Sequence, residues 1–199
     1  MDYQLYSHRH AIEIAQNDKE YIDDFNEILD VLDGISDDDI IEEFELPNYK
    51  NNKSISRVIN QLIKVRLTNK GWDEESPIFQ DGRYSNKRFR LDFAKNNFAV
   101  EVAFNHGEAI SWNLLKPVLS GELNHVDKAI QTRIGIIIFS TDSMKIAGGF
   151  DNAVGSYEKA LRYLPILMNQ LTVPLIIIGL RFNLFFKRNL IPFSTSLQF

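Results

Sequence analysis

Apolar and polar residues alternate along two neighbouring segments of the chain, 88–93 and 98–105. Side chains of a β-strand point to opposite faces with a period of two, so this alternation predicts two strands with one apolar face each. The Lys95-Asn96-Asn97 stretch between them contains turn-forming residues and predicts that the strands form a hairpin. On the predicted apolar face lie Phe89, Leu91, Phe93, Val100, Val102 and Phe104, and on the polar face Arg90, Asp92, Glu101, Ala103 and Asn105.

The rest of the chain shows helical and strand patterns in turn. Apolar residues recur at helical spacing in an acidic segment that Gly34 would end, and again over residues 54–69, with Gly71 as a stop signal. Helices are also predicted over 108–119 and 154–171, where Pro117 and Pro165 would kink or shorten them. Continuous apolar runs at 133–140 and 175–180 predict buried strands. This order predicts an α/β fold, with one domain over residues 1–199.

The predicted hairpin contains a candidate for chemistry, because pairing of its strands would bring Asp92 and Glu101 together. Two carboxylates held close repel each other unless a cation neutralises them. Mg²⁺ suits such a place, since it takes one or two carboxylates and fills its other positions with water, carbonyl and phosphate oxygens. An ordinary hairpin with one solvated face would carry the same two residues. The residues alone therefore leave both interpretations open.

The spacing around these residues resembles a known signature. Asp92, eight intervening residues and then Glu101-Val102-Ala103 are similar to the D…E-x-(K/E/Q) signature of the PD-(D/E)XK nucleases. The chain most resembles the Type II restriction endonucleases of the BglII and BstYI group. Further segments resemble that group in the same order along the chain, namely Leu5 to His8, Lys70 to Trp72, Gly155 to Glu158 and Pro174 to Leu180.

This resemblance implies both a fold and an activity. The fold would be restriction-endonuclease-like, a central mixed β-sheet flanked by helices. The activity would be Mg²⁺-dependent cleavage of double-stranded DNA at a short palindromic site, by attack of an activated water on the phosphodiester, in a homodimer that cuts both strands. Asp92, Glu101 and the carbonyl of Val102 would bind the metal.

One position departs from the signature. The residue two after the glutamate is usually Lys, Glu or Gln and helps to orient or activate water, whereas here it is Ala103. The candidates for its replacement are His106, Asn105, Lys95 and Glu75. His106 has the pKa range of a base near neutral pH and is taken as the third catalytic residue, although it could equally cap the strand end. Ala103 also leaves open a catalytically silent DNA-binding or protein-interaction module, and a repair nuclease of the same superfamily is a further alternative.

Two polar segments are candidates for reading the DNA sequence. Asn105-His106-Gly107 follows the second hairpin strand directly, and 148–155 leads into a predicted helix. In the group that the chain resembles, the matching segments carry base contacts, and Asn, Asp and His side chains can discriminate base edges. Ordinary polar turns favour the same residues. The predicted DNA-binding residues are Lys95, Asn105, His106, Asp151 and Asn152.

The charge distribution allows DNA binding despite a net charge of −5. Residues 18–45 hold 13 of the 27 acidic residues and one of the 22 basic ones, which leaves 21 basic against 14 acidic residues elsewhere. The chain has no cysteine, so disulfides and thiolate metal sites are excluded. The apolar runs are too short to span a bilayer, and the first residues do not resemble a signal peptide. We therefore expect a cytoplasmic protein without a membrane partner.

Overall fold

The computed structural model describes residues 1–49, 51–122 and 125–182, so the end of the predicted domain lies outside the described residues. Six strands form the sheet: β1 Asp2–His8, β2 Asp73–Pro77, β3 Arg90–Lys95, β4 Phe98–Val102, β5 Ile134–Ser140 and β6 Leu175–Arg181. The helices are α1 Ala11–Asn17, α2 Ile22–Asp33, α3 Asp37–Phe44, α4 Ser56–Asn69, α5 Ile110–Gly121, α6 Asp142–Ala147 and α7 Tyr157–Ile166. Within these ranges no helix is long and apolar enough to cross a membrane.

The strands form one mixed sheet in the order β1-β6-β5-β4-β3-β2. The three central strands β4, β5 and β6 run parallel, while β1, β3 and β2 are antiparallel to their neighbours. Every residue of β5, Ile-Gly-Ile-Ile-Ile-Phe-Ser, is buried, as expected for a parallel strand covered on both faces. The carboxyl ends of β4 and β5 therefore lie at the same edge of the sheet, where open α/β sheets place their ligands.

Helices cover both faces of this sheet. Ile136 and Ile138 of β5 belong to the core cluster that includes α1, α2 and α4, whereas Ile137 and Phe139 belong to the cluster with α5 and α7. Since neighbouring residues of a strand point to opposite faces, the two clusters lie on opposite sides of the sheet. The predicted central mixed sheet flanked by helices is confirmed.

Several boundaries differ from the sequence prediction. The hairpin is present, with Asn96 in the left-handed conformation (φ 47°), but Phe93 and Leu91 are buried in different clusters. The prediction that the apolar residues of β3 share one face is therefore wrong, because Leu91 and Phe93, on either side of Asp92, pack in different clusters. Pro117 lies within α5 instead of ending it, whereas α7 ends at Ile166, directly after Pro165.

The acidic segment forms α2 and α3. Gly34 caps the end of α2 as predicted, and Ser36 begins α3 with a capping box in which its hydroxyl accepts from the Asp39 N–H. Asp39 also pairs with Arg66 of α4 at 3.0 Å. Part of the acidity therefore serves contacts within the fold.

Candidate active site

The two predicted carboxylates meet where β3 and β4 separate. The described backbone pairing of these strands ends at Phe93 and Val100, the pair next to Asp92 and Glu101. Beyond it, side chains replace backbone partners: Asp92 Oδ2 accepts from the Val102 N–H at 2.7 Å, and Glu101 Oε1 accepts from the Asp92 N–H at 3.4 Å. The carboxylates are thus positioned by the divergence of the strands that carry them.

Burial dominates the electrostatics of this pair. Glu101 is 2% exposed, and burial together with the neighbouring Asp92 raises its pKa well above the usual range. Burial also raises the pKa of Asp92, and the nearby Glu75 carboxylate adds to the increase. The hydrogen bond from Val102 and the cation of Lys116 act in the opposite direction on Asp92. Any bound cation would relieve the remaining cost of keeping both groups ionised.

Sequence reasoning missed Lys116. Its ammonium lies 2.5 Å from Glu101 Oε2, and its side chain is 9% exposed. The available signal was one lysine within Leu114-Leu115-Lys116-Pro117-Val118-Leu119, an otherwise apolar stretch of a helix. Lysine is almost never fully buried without a partner, so this pattern predicts a buried acid opposite it, although not which one.

An open cavity of about 400 Å³ gives access to these groups. Asp92, Glu101 and Lys116 contribute to its wall, as do Val102 and Asn105 from β4 and the segment after it. Another part of the cavity wall is formed by one stripe of α4 at helical spacing, which consists of Arg57, Asn60, Gln61 and Lys64. The site therefore combines a buried acidic pair with a polar, partly basic helix surface.

Two of the residues predicted to replace the side chain missing at Ala103 line this cavity, namely Asn105 and Glu75. Glu75 lies in β2 between two residues that pair with β3, Glu74 and Ser76, yet its own backbone is left-handed (φ 49°). A glutamate in this conformation stores strain, which the surrounding structure has to hold in place. The exposed Glu75 side chain lines the cavity together with Asp92, so the strained part of β2 adds a carboxylate to its rim, as does the neighbouring Glu74.

The donor set at the centre of the site fits a hard divalent cation. Asp92 and Glu101 are oxygen donors, and Mg²⁺ requires only one or two protein carboxylates. The Val102 carbonyl accepts from the Phe104 N–H at 3.1 Å and retains a second lone pair. In the described residues, no group of three or more His, Cys, Asp or Glu side chains is arranged to hold a metal, so water and substrate oxygens would complete the coordination.

The two segments predicted to read DNA lie side by side. The Gly107 N–H donates to the Ala153 carbonyl at 2.7 Å, and the Gly155 N–H donates to the Asn105 carbonyl at 3.0 Å. His106 and Val154 form an isolated β-bridge between these contacts. Residues 105–107 and 150–155 are named the paired loops below, because they form one continuous surface beside β4.

The predicted side chains of the paired loops are exposed. The side-chain oxygen of Asp151 accepts from the Ala153 N–H at 2.8 Å, which shapes the turn, and Lys145 donates to the Asn152 carbonyl at 3.2 Å. The side chain of Asn105 differs, since its amide is hydrogen-bonded to Asn113 of α5 at 2.9 Å and it also lines the cavity. Their roles in DNA binding stay predictions.

His106 lies apart from the acidic pair. Its ring is 62% exposed, its Nδ1 is 3.9 Å from Glu108 Oε2, and it is not part of the cavity wall. The position before a short 3-10 turn agrees with the alternative that His106 marks the strand end, although its side chain makes no capping hydrogen bond. A catalytic role for His106 has no support from this geometry.

Lys95 is held at the turn end of the hairpin. Its ammonium donates to Glu27 Oε2 at 2.6 Å and to the Lys70 carbonyl at 2.9 Å, and it lies 3.6 Å from Asp24. The structure does not bring Lys95 to Asp92 and Glu101, so its placement contradicts the idea that it replaces the side chain missing at Ala103. Its predicted contact with DNA would require it to leave two acidic partners.

Comparison with known proteins agrees with this architecture. Among solved structures, BglII in complex with a DNA 16-mer aligns with a TM-score of 0.66 at 22% identity, covering 92% of this chain and 79% of that one. Free BglII aligns with a TM-score of 0.55 at 20% identity, covering 92% of this chain and 81% of that one. No curated protein matches the sequence significantly. The fold is therefore that of the PD-(D/E)XK-like restriction endonucleases.

The sequence itself narrows this class. The family model for restriction endonuclease BglII/BglIII matches residues 3–180, which is most of the chain. The chain belongs to the BglII/BglIII restriction endonuclease family, a family of Type II site-specific deoxyribonucleases. The resemblance noted from the sequence is confirmed.

Proposed function

We propose that this chain is a Mg²⁺-dependent Type II restriction endonuclease that cleaves double-stranded DNA at a short palindromic site as a cytoplasmic homodimer. The observation that carries the proposal is the meeting of the half-buried Asp92 and the buried Glu101 at the wall of an open cavity. Family membership supplies the reaction class, and the acidic pair supplies a place where that reaction can occur.

The partner is inferred from the surface around the cavity. BglII has been crystallised with DNA, and the paired loops of this chain present exposed polar side chains, of which Asn105 lines the cavity that Asp92 and Glu101 share. We infer that the paired loops face base edges of the DNA through Asn105, His106, Asp151 and Asn152. The exposed stripe of α4 would face the phosphate backbone of the DNA. Phosphate contacts would fix the register of the duplex, and base contacts would select the sequence.

Asp92, Glu101 and the Val102 carbonyl would hold Mg²⁺. When bound, this ion lowers the pKa of water and stabilises negative charge on the phosphate. The protein orients the scissile phosphate over the acidic pair, so that the water oxygen bonds to phosphorus as the bond to the leaving sugar oxygen breaks. The proton lost by the water passes to solvent, and the leaving oxygen takes one from solvent.

Digestion of unmethylated phage-length DNA tests the proposal. Purified wild-type protein with Mg²⁺ should give discrete bands, whose ends define the recognition site. An Asp92→Asn protein prepared identically should cut at least about 100-fold more slowly, since an amide is a poor ligand for a hard cation. Binding of duplex DNA by the variant in a gel-shift assay should persist, because the amide preserves the acceptor for the Val102 N–H.

The other outcomes would select the alternatives. A smear from the wild type would indicate a nuclease with relaxed sequence dependence, as expected of a repair enzyme. Intact DNA across Mg²⁺ and Mn²⁺ titrations would indicate the silent binding module that Ala103 suggests. Wild-type turnover by the Asp92→Asn protein would contradict the assignment of the site.

A further inference from the structure

Lys116 is a buried cation that stability alone does not explain. Among the residues that the structure describes, its ammonium donates a hydrogen bond to Glu101, which is also buried. Replacing a buried ion pair by apolar side chains of similar volume is often neutral or stabilising, so such a pair is weak evidence for a structural role. Asn113 and Ser120 are also buried on α5, among residues that pack on the sheet. The helix thus carries a buried polar line, from which Lys116 reaches the strand that carries Glu101.

Ala103 explains why the cation arrives from a helix. Ala103 and Glu101 are two residues apart on the chain leaving β4 and would share a face. The Ala103 side chain is 1% exposed and belongs to the apolar cluster with Ile110 and Leu114 of α5. The same helix supplies Lys116 to Glu101, six residues after Ile110 and two after Leu114. The buried cation of the site is therefore supplied at position 116 and not at position 103.

The ammonium of Lys116 has capacity beyond its ion pair. A lysine carries three N–H donors, and one of them is directed at Glu101 Oε2. Lys116 also lines the cavity that Asp92 shares. Its two other donors are therefore available to a phosphate oxygen or a water that enters this cavity.

We propose that Lys116 is a catalytic residue, whose ammonium contacts the attacking water and a non-bridging oxygen of the scissile phosphate in place of the side chain absent at Ala103. This inference rests on the proposed nuclease function. The ammonium donates hydrogen bonds and gives up no proton in the step. The bonds that form and break are those of the hydrolysis itself, water oxygen to phosphorus and phosphorus to sugar oxygen.

The absence of cysteine permits a sharp test. A Lys116→Cys protein carries a single thiol, which can be alkylated under denaturing conditions before refolding. Alkylation with 2-bromoethylamine restores an ammonium at nearly the length of lysine, whereas (2-bromoethyl)trimethylammonium restores the positive charge without any N–H donor. Single-turnover cleavage at saturating DNA and Mg²⁺, DNA affinity in EDTA and thermal melting are measured for each form.

We expect the unmodified thiol protein to cleave at least about 100-fold more slowly, the loss typical for removal of one charge-stabilising donor. The aminoethyl form should recover at least about tenfold, and the trimethylammonium form should not. DNA affinity should stay within about threefold throughout. Comparing the two cationic forms keeps the test valid if the unmodified protein folds poorly, since both restore the charge beside Glu101.

Three results would overturn the inference. These are cleavage by the thiol protein within threefold of wild type, equal recovery by both cationic forms, and a loss explained entirely by weaker DNA binding. A Lys19→Cys protein, altered at an exposed lysine, is carried through the same chemistry as the control and should keep wild-type activity. Wild-type protein that cuts no DNA would overturn the proposed function and Lys116 with it, whereas active wild type with an unaffected variant would overturn the role of Lys116 alone.

Discussion

The half-buried Asp92 and the buried Glu101 and Lys116 form a group with two potential negative charges and one positive charge. Their arrangement therefore favours uptake of a further cation or a proton. Proteins keep such groups where binding requires them, at a cost to the stability of the folded state. The site is prepared for a positive ligand before any ligand arrives.

We expect Asp92→Asn to stabilise the protein in EDTA at neutral pH. The pKa of Asp92 is raised in the folded state, so the ionised carboxylate opposes folding at every pH above that pKa. An increase in Tm of about 2–4 °C would correspond to about 1 kcal/mol in a chain of this size. The gain should fade as the pH falls through the folded pKa, and it should vanish below the ordinary value of 3.8, where aspartate is protonated in both states.

Differential scanning calorimetry at a series of pH values from about 3.5 to about 8 would measure this effect. Asp73→Asn, at an exposed carboxylate of β2, is the matched control and should change Tm by less than about 1 °C. Adding Mg²⁺ should raise the Tm of the wild type and not that of the Asp92→Asn protein. A variant that melts below the wild type at neutral pH would contradict the expected direction.

The residues of the site were unequally predictable from sequence. Asp92 and Glu101 stand at alternating positions of one hairpin, so local spacing and a short signature were sufficient to find them. Lys116 lies 15 residues after its partner and on a different type of element, so only the packing of α5 on the sheet brings them together. The left-handed backbone of Glu75 lies between two residues that pair with β3 and likewise has no local signal in the sequence.

At the scale of elements, α4 has two distinct surfaces. Val58, Ile59 and Ile63 pack in the core beneath it, while the stripe that begins with Arg57 lines the cavity. Lys64 of that stripe is paired with Glu74 at 2.6 Å. The exposed Arg57, hydrogen-bonded only weakly to Asn52 at 3.4 Å, is better placed to meet a phosphate.

We expect Arg57→Gln to weaken DNA binding uniformly across sequences. Loss of one phosphate contact should reduce the slope of log affinity against log salt by about 1. Fluorescence anisotropy with a duplex at a series of salt concentrations measures that slope. Arg162→Gln, at an exposed arginine of α7, is the control and should leave the slope unchanged. Equal slopes for both variants would remove α4 from the DNA interface.

Elements with strong periodicity were predicted, and those that depend on their neighbours were not. β5 and β6 are apolar except for their last residues, Ser140 and Arg181, and α2 and α4 have regular apolar stripes, so each was found within a few residues. β2, Asp-Glu-Glu-Ser-Pro, lacks the alternation of apolar and polar residues that predicts a strand. It forms by backbone pairing with β3. β1 was not predicted as a strand, and only its residues Leu5 to His8 were noted, for their resemblance to the BglII and BstYI group. Its apolar residues are few, and its partner β6 is remote in sequence.

At the scale of the whole molecule, each chain contributes one acidic pair of this kind. A palindromic duplex presents two symmetry-related phosphates, which a two-fold dimer can reach with one site from each subunit. Light scattering after size exclusion should therefore give twice the chain mass of 23.0 kDa.

Mixing provides the functional counterpart of that mass measurement. Wild-type subunits exchanged with a large excess of Asp92→Asn subunits should form mixed dimers that cut one strand. On a supercoiled plasmid with one recognition site, the product should change from linear to nicked circular DNA. Linear product that falls only in proportion to dilution would indicate subunits that act independently or do not exchange.

The hydrogen bonds that join the paired loops link two tasks that are often described as separate. Gly155 and Gly107 tie one loop to the other, and Asn105 lies only four residues after Glu101 on the same stretch of chain. If these loops select the DNA sequence, a substitution that alters the selection also moves the strand end that carries the chemistry. New specificity would then arise in this scaffold through paired changes in both loops, with slow enzymes as the intermediates.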